Sequence, residues 1–222
     1  MENILTKKYS PMVGNTNLFL IVFFAIFLIP LFPVSAHRIL YNFSYTAIFF
    51  IAIFLVQSKR RFILWGAVLA TITEWMAAYM DMLYLREISY LVNVMFFAFI
   101  VGKMIYEIAN TPNVNVRVIV EAINCYLLLG FIFSLMVTFV MMADPDAYNF
   151  PWVFSVDRDS VSRISEILYY TFVTFSTLGY GDVVPQTPLA RSLAIFISVT
   201  GQIYIAIIIA MLVGKFASTQ QK

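Results

Sequence analysis

Thr174-Phe175-Ser176-Thr177-Leu178-Gly179-Tyr180-Gly181-Asp182 is the stretch on which the fold of this chain turns. Two glycines flanking one tyrosine close a short apolar and aromatic run of helical character, Ser165 to Phe175, and a long apolar run, Leu189 to Phe216, follows. The first run is too short to cross a bilayer, which takes about 20 residues. Irregular backbone at membrane depth survives only where it is buried in protein or lines water. A half-length helix, a Gly-x-Gly turn and a long returning helix therefore predict a re-entrant loop.

The rest of the chain agrees with a membrane setting. Of its 222 residues, 62% are hydrophobic and only 12% charged, half the charged share of a soluble domain, and the mean hydropathy is +0.87. There is too little polar surface to coat a water-soluble core, and an aromatic content of 17% argues against disorder. The formal charge of +2 is spread thinly, with no basic block to hold nucleic acid. Cys125 and His37 are each single in the sequence, which excludes an internal disulfide, a Cys/His metal site and a Cys–His nucleophile pair. Cys125, in an apolar run, reads as a buried small hydrophobe. No catalytic constellation and no cofactor site emerge, and His37 is expected in a loop near the outer face.

Long apolar runs predict six spanning segments: Asn17–Val34, Tyr41–Val56, Phe62–Tyr84, Ile88–Tyr106, Val118–Met142 and Leu189–Phe216. Helices are expected because the backbone must satisfy its own polar groups in lipid, and the alternation of a lipid-facing barrel is absent. Pro30 and Pro33 should kink or end the first helix. Val34-Ser35-Ala36 has the look of a leader cleavage site, but the apolar run before it is longer than an ordinary leader core, so an uncleaved span is expected. With the N-terminus inside, nine of the fourteen Lys and Arg residues (Lys7, Lys8, Lys59, Arg60, Arg61, Lys103, Arg117, Lys215, Lys222) face the cytoplasm, in keeping with the positive-inside rule. Arg38, Arg86, Arg158, Arg163 and Arg191 then lie outside. Both termini of this multi-pass chain are expected in the cytoplasm. The reading divides it into a peripheral four-helix unit (1–110), a linker (111–117), a two-helix unit with the re-entrant loop (118–216) and a short tail (217–222), too short to hold a cytosolic ligand-binding domain.

A loop of this kind suits the passage of a small cation. Backbone carbonyls can replace an ion's hydration shell without a fixed charge that would trap it. Setting successive carbonyls to one side needs conformations open mainly to glycine, which Gly179 and Gly181 supply. Thr177 can add a hydroxyl oxygen, Tyr180 is expected to brace the loop from behind, and the half-helix would aim its negative C-terminal end at the ion path.

Thr177-Leu178-Gly179-Tyr180-Gly181-Asp182 resembles the selectivity filter of tetrameric potassium channels, and Gly201, 20 residues beyond Gly181, stands where that family's inner helix carries its hinge glycine. Gly201-Gln202-Ile203-Tyr204-Ile205-Ala206 is similar to inner helices of prokaryotic members. The resemblance covers roughly Val118 to Phe216. It implies an all-α membrane protein with six spanning helices and a pore helix and filter between the fifth and sixth. It further implies potassium bound at Thr177, Leu178, Gly179 and Tyr180 with Gly181 completing the filter, a homotetramer embedded in the lipid bilayer of the cell membrane, and passive potassium conduction. Rival readings are a non-selective cation channel on the same scaffold and a potassium-uptake transporter subunit.

Departures from the family pattern are expected to matter. Leu178 stands where Val or Ile is usual. Val173 occupies a place where some bacterial channels have a glutamate paired with the filter aspartate, and Tyr169 and Tyr170 stand where those channels often have tryptophan. Their hydroxyls are candidates to bond Asp182, whose alternative is a plain solvated charge. Between Arg86 and Tyr106 the only basic residues are Arg86 and Lys103, one at each end, where a voltage sensor would need several spaced charges, so voltage dependence should be weak or absent. Elsewhere, Glu74 is an acid inside a span, either functional or bonded to a neighbour such as Asn93. Arg86 and Glu87, with Asp81, are expected in a solvated outer loop. Asp144, Asp146, Asp157 and Asp159 either concentrate cations at the mouth or solubilise a turret.

Overall fold

The computed structural model describes residues 11–55, 60–79, 83–111, 114–150 and 162–220. These are helical almost throughout: α1 (Pro11–Phe23), α2 (Val34–Leu55), α3 (Arg60–Tyr79), α4 (Leu83–Asn110), α5 (Val116–Ala143), α6 (Ser162–Phe175) and α7 (Pro188–Gln220). Lys7, Lys8, Lys59, Asp81, Asp157, Arg158, Asp159 and Lys222 lie outside the described residues, as do the side chains of Arg38, Arg60, Arg61, Arg86, Glu87 and Arg163.

Local chemistry sets the helix ends. Pro30 has no N–H to donate, and its ring would strike the carbonyl four residues earlier. The chain responds with a π-turn over Phe24–Leu28, in which the Ile29 N–H reaches Phe24 O. A 3₁₀ turn over Ile29–Leu31 follows and ends at extended Phe32. Helix α5 starts where Asn115, in extended conformation, accepts the Val118 N–H on its side chain at 3.1 Å, a normal N-cap. Helix α7 begins with Thr187 accepting the Ala190 N–H at 3.4 Å and with Pro188 as its first residue, where a missing N–H costs nothing.

Two expectations are corrected. Leu83 and Tyr84 belong to α4, whose first turns also contain Arg86 and Glu87 rather than leaving them in a loop. The apolar pattern continues from α3 into α4, so composition does not separate the two. His37 is not in a loop either: it lies in the first turn of α2, buried, donating from Nε2 to Phe32 O at 2.8 Å, which satisfies a carbonyl just outside the helix.

Four stretches among the described residues are long and apolar enough to cross a membrane: Val13–Leu31, Ile88–Asn110, Val116–Ala143 and Pro188–Ala217. Helices α1 to α4 pack in chain order, and α5 lies against both α1 and α4, closing the circuit. Helix α5 also carries α6 and α7 on its other side. Accordingly 61% of its apolar window is buried, against 22% for α7. Cys125 sits fully buried in the core around α5.

Lipid tails are as apolar as leucine, so close packing and interhelical hydrogen bonds hold such helices together, at about 0.6 kcal/mol per bond and up to about 2. The bonds are distributed around the assembly. Trp75 Nε1 donates to Thr46 Oγ1 at 3.0 Å between α3 and α2. Asn93 Nδ2 and Ser89 Oγ on α4 donate to Glu74 Oε2 on α3 at 2.5 and 3.1 Å. Asn124 Nδ2 on α5 donates to Asn15 O on α1 at 2.8 Å, and Tyr204 on α7 to Ala122 O on α5 at 2.7 Å. Lys215 Nζ, on α7, donates to Ile108 O, Ala109 O and Thr111 O at 2.7, 2.8 and 2.8 Å. It thereby fills the carbonyls that the end of α4 leaves without helical partners.

Candidate functional site

The 177–182 segment hangs from the C-terminus of α6. Thr177, Gly179 and Gly181 have φ of 61°, 56° and 79°. They alternate with residues in ordinary conformations, so every second residue is left-handed. In a regular strand successive peptide groups face opposite ways; alternating handedness brings them to one side. A Cβ on Gly179 or Gly181 would meet nothing within 4 Å, so backbone conformation rather than space requires glycine there. Thr177 is the surprise: a β-branched residue at positive φ is a genuine outlier, held at a cost of about 1–3 kcal/mol.

The Val173 carbonyl holds the start of this segment. It accepts the N–H groups of Leu178 at 3.0 Å and Gly179 at 3.2 Å, and the Ser176 hydroxyl at 3.3 Å. Thr177 N–H goes to Thr174 O and Ser176 N–H to Phe172 O. The segment's own amides thus satisfy carbonyls at the end of α6. Val173 contributes to this arrangement through its backbone carbonyl.

The far end is tied by Asp182. Tyr169 donates to Asp182 Oδ2 at 2.6 Å, and Asp182 Oδ1 accepts the Val183 N–H at 3.0 Å. The shared bond holds the Tyr169 hydroxyl up at about 12 and pushes the Asp182 carboxyl below its ordinary range. Tyr170 faces elsewhere, buried with its ring 5.1 Å from Tyr148 and 6.0 Å from Phe150. Beyond Asp182 the chain pairs with the residues after α5: Gln186 N–H to Ala147 O at 2.8 Å, and Val184 N–H to the Asn149 side chain at 2.5 Å. Asp144 accepts the Asp146 N–H at 3.2 Å, so that acid shapes the turn after α5.

Gly201 lies in the uninterrupted helix α7, and a Cβ there would fall 2.0 Å from Phe175 O and 2.9 Å from its ring. The glycine is what lets α7 touch the end of α6. Phe175, fully buried, stacks on Tyr126 at 4.5 Å and lies 5.4 Å from Phe133. Likewise a Cβ on Gly130 of α5 would strike the Phe172 ring at 2.2 Å. Phe175, the Val173 carbonyl and Asn149 were not singled out by sequence reasoning. The Phe172–Phe175 pair directly before the segment was the available signal.

Leu178 and Tyr180 leave 56% and 67% of their surface exposed. The bracing expected for Tyr180 does not come from the described residues of its own chain. One face of α7, with Ile195, Phe196, Val199 and Ile203, is exposed as well.

Residues 122–218 match a family model described as "Ion channel". Over 95 residues the chain is 32% identical to the potassium voltage-gated channel protein Shal of Drosophila melanogaster, covering 42% of this chain and 16% of that protein. It is 36% identical over 56 residues to two-pore potassium channel 4 of Arabidopsis thaliana, covering 25% and 20%. It is 44% identical over 48 residues to small conductance calcium-activated potassium channel-like protein 3 of Caenorhabditis elegans, covering 22% and 7%. The chain thus spans a fifth or less of these relatives' lengths. No solved structure is significantly similar to it.

Proposed function

We propose that this chain, an all-helical membrane protein whose residues 122–218 are of ion-channel type and related to potassium channels, is one subunit of a homotetrameric potassium channel. The observation that carries the reading is the alternation of left-handed residues at Thr177, Gly179 and Gly181 on a loop anchored to the end of a half-length helix. Four such loops would line an axis with the carbonyls of Thr177, Leu178, Gly179 and Tyr180. These would replace the hydration shell of potassium as it passes down its gradient. Gly181 lets the loop leave the axis. The exposed Tyr180 and the exposed apolar face of α7 support neighbouring copies as what covers them.

In this reading α1 to α5 and α7 span the membrane and α6 is re-entrant. Helices α1 to α4 form a peripheral unit ahead of a pore unit, both termini are cytoplasmic, and the cell membrane is the site of action. Helix α4 contains Arg86 and Lys103 as its basic residues, so conductance depends weakly or not at all on voltage.

Purified protein in planar bilayers tests the reading. Wild type is expected to reverse near the potassium equilibrium potential under bi-ionic potassium/sodium conditions, and Gly179→Ala to lose that preference. Equal permeabilities in wild type would favour a non-selective cation channel, and absence of passive current would overturn the channel reading. Native mass spectrometry should show four chains per particle.

A further inference from the structure

A cavity of about 30 Å³ lies where five helices meet, lined by Tyr45 of α2, Glu74 of α3, Tyr90 of α4, Ser134, Leu135 and Thr138 of α5, and Ile164 and Ile167 of α6. A water needs some 10–15 Å³ of such space, so the cavity admits one small species or two.

Its lining is short of positive charge and rich in acceptors. Ser134 Oγ donates its proton to Phe131 O at 2.7 Å, and Thr138 Oγ1 donates to Ser134 O at 2.8 Å. Both hydroxyls have spent their hydrogen on the helix and offer the cavity lone pairs alone. Among the described residues, Ser89 and Asn93 donate to Glu74 on the same oxygen, Oε2. Asn93, 1% exposed, leaves its Oδ1 buried without a partner beside that carboxylate. A carboxylate inside a membrane helix is expensive unless its charge is matched, and the groups lining the cavity with it carry none.

From this arrangement we infer that the cavity is a binding site for a sodium-sized monovalent cation, held by the Glu74 carboxylate and the hydroxyl oxygens of Ser134 and Thr138. Hard oxygen donors suit such an ion. One carboxylate neutralises one positive charge, whereas a divalent ion would leave net charge in the bilayer interior. Ile164 and Ile167 form part of the wall, so the bound ion would bridge α3 and α5 against the helix that carries the 177–182 segment.

The test uses the purified 222-residue chain and reads the difference between wild type and Glu74→Gln in each salt, so potassium held at the 177–182 segment cancels. Thermal unfolding is followed in sodium, potassium and choline chloride at equal ionic strength. A ligand that binds the folded state raises the midpoint with the logarithm of its concentration. Sodium is expected to raise the wild-type midpoint above that of Glu74→Gln, and potassium and choline to separate the two variants much less. Glu74→Gln should lower the sodium affinity by roughly tenfold or more, and Ser134→Ala by roughly fivefold. No sodium-dependent separation of wild type from Glu74→Gln, or an equal separation in potassium, would overturn the inference. Should Glu74→Gln not fold, the Ser134→Ala, Thr138→Val double variant decides: unchanged sodium affinity there overturns it too.

Discussion

The Tyr169 hydroxyl lies 2.6 Å from Asp182 Oδ2, so the last helix before the 177–182 segment is bonded to that segment's final residue. The bond closes a loop whose other tie is the Val173 carbonyl. Between these two anchors stand the left-handed residues.

The bond has a defined pH window. Asp182 is held below the ordinary carboxylate range, so its contribution is present above that range and lost as pH falls through the lowered value. Tyr169 is raised to about 12, so its contribution is present below about 10 and lost as pH rises towards 12. Tyr169→Phe should return Asp182 to the ordinary carboxylate range. Carboxyl-carbon NMR titration of labelled Asp182 checks this; an identical midpoint in the variant would refute it. Both groups are exposed, so global stability should barely change.

Relief of strain at Thr177 should separate stability from selectivity. Thr177→Gly removes a β-branched residue from positive φ and is expected to leave thermal stability equal or raised by about 1 kcal/mol, less the entropy a glycine adds to the unfolded chain. If the chain is the potassium channel proposed above, reversal potentials should nonetheless shift towards sodium, because the hydroxyl is gone. A large drop in melting temperature would show that Thr177 is not strained.

The two close-packed glycines should rank by what they face. Gly201→Ala meets a backbone oxygen at 2.0 Å, which cannot swing away, whereas Gly130→Ala meets the outer edge of the Phe172 ring. Overpacking costs about 1–3 kcal/mol, and the Gly201 variant should sit at or above the top of that range. Melting temperatures in detergent settle the order, and the reverse order would contradict the packing account.

Lys215→Met should loosen the end of α4. Three carbonyls lose an ammonium donor, and a cation at a helix C-terminus contributes about 0.3–2 kcal/mol. Hydrogen exchange should quicken for amides of the last turn of α4 and for Thr111, with Lys215→Arg restoring part of the protection. Unchanged exchange in Lys215→Met would mean that the cap carries no stability.

Much of this was legible in the sequence because it is written in local rules. Pro30 ends a helix wherever it stands, and Gly179 and Gly181 announce positive φ. A half-length apolar run announces a short helix, found as α6 (Ser162–Phe175). Long-range pairings were not legible. Nothing in the spacing of Lys215 and Ala109, or of Gly201 and Phe175, marks them as neighbours, since no periodicity connects residues on separate helices. Asn93 was foreseen beside Glu74 because a buried acid demands a donor and few were within reach. The start of α4 was misplaced because the apolar pattern continues from one helix into the next. Val173 shows a different limit: its role rests on a carbonyl that every residue possesses, so no side chain could reveal it.

The seat of Gly201 on Phe175 O also has a mechanical meaning. At 1.5 Å per residue, Gly201 stands roughly 20 Å from Pro188 and roughly 21 Å from Lys215. A rigid rod resting there is a balance beam with nearly equal arms. Displacing its Lys215 end by a few ångströms swings its Pro188 end by a similar distance the opposite way, where the beam meets the return from Asp182. Phe175 O at the end of α6, Ala122 O at Tyr204 and the end of α4 at Lys215 are three points at which that beam is held.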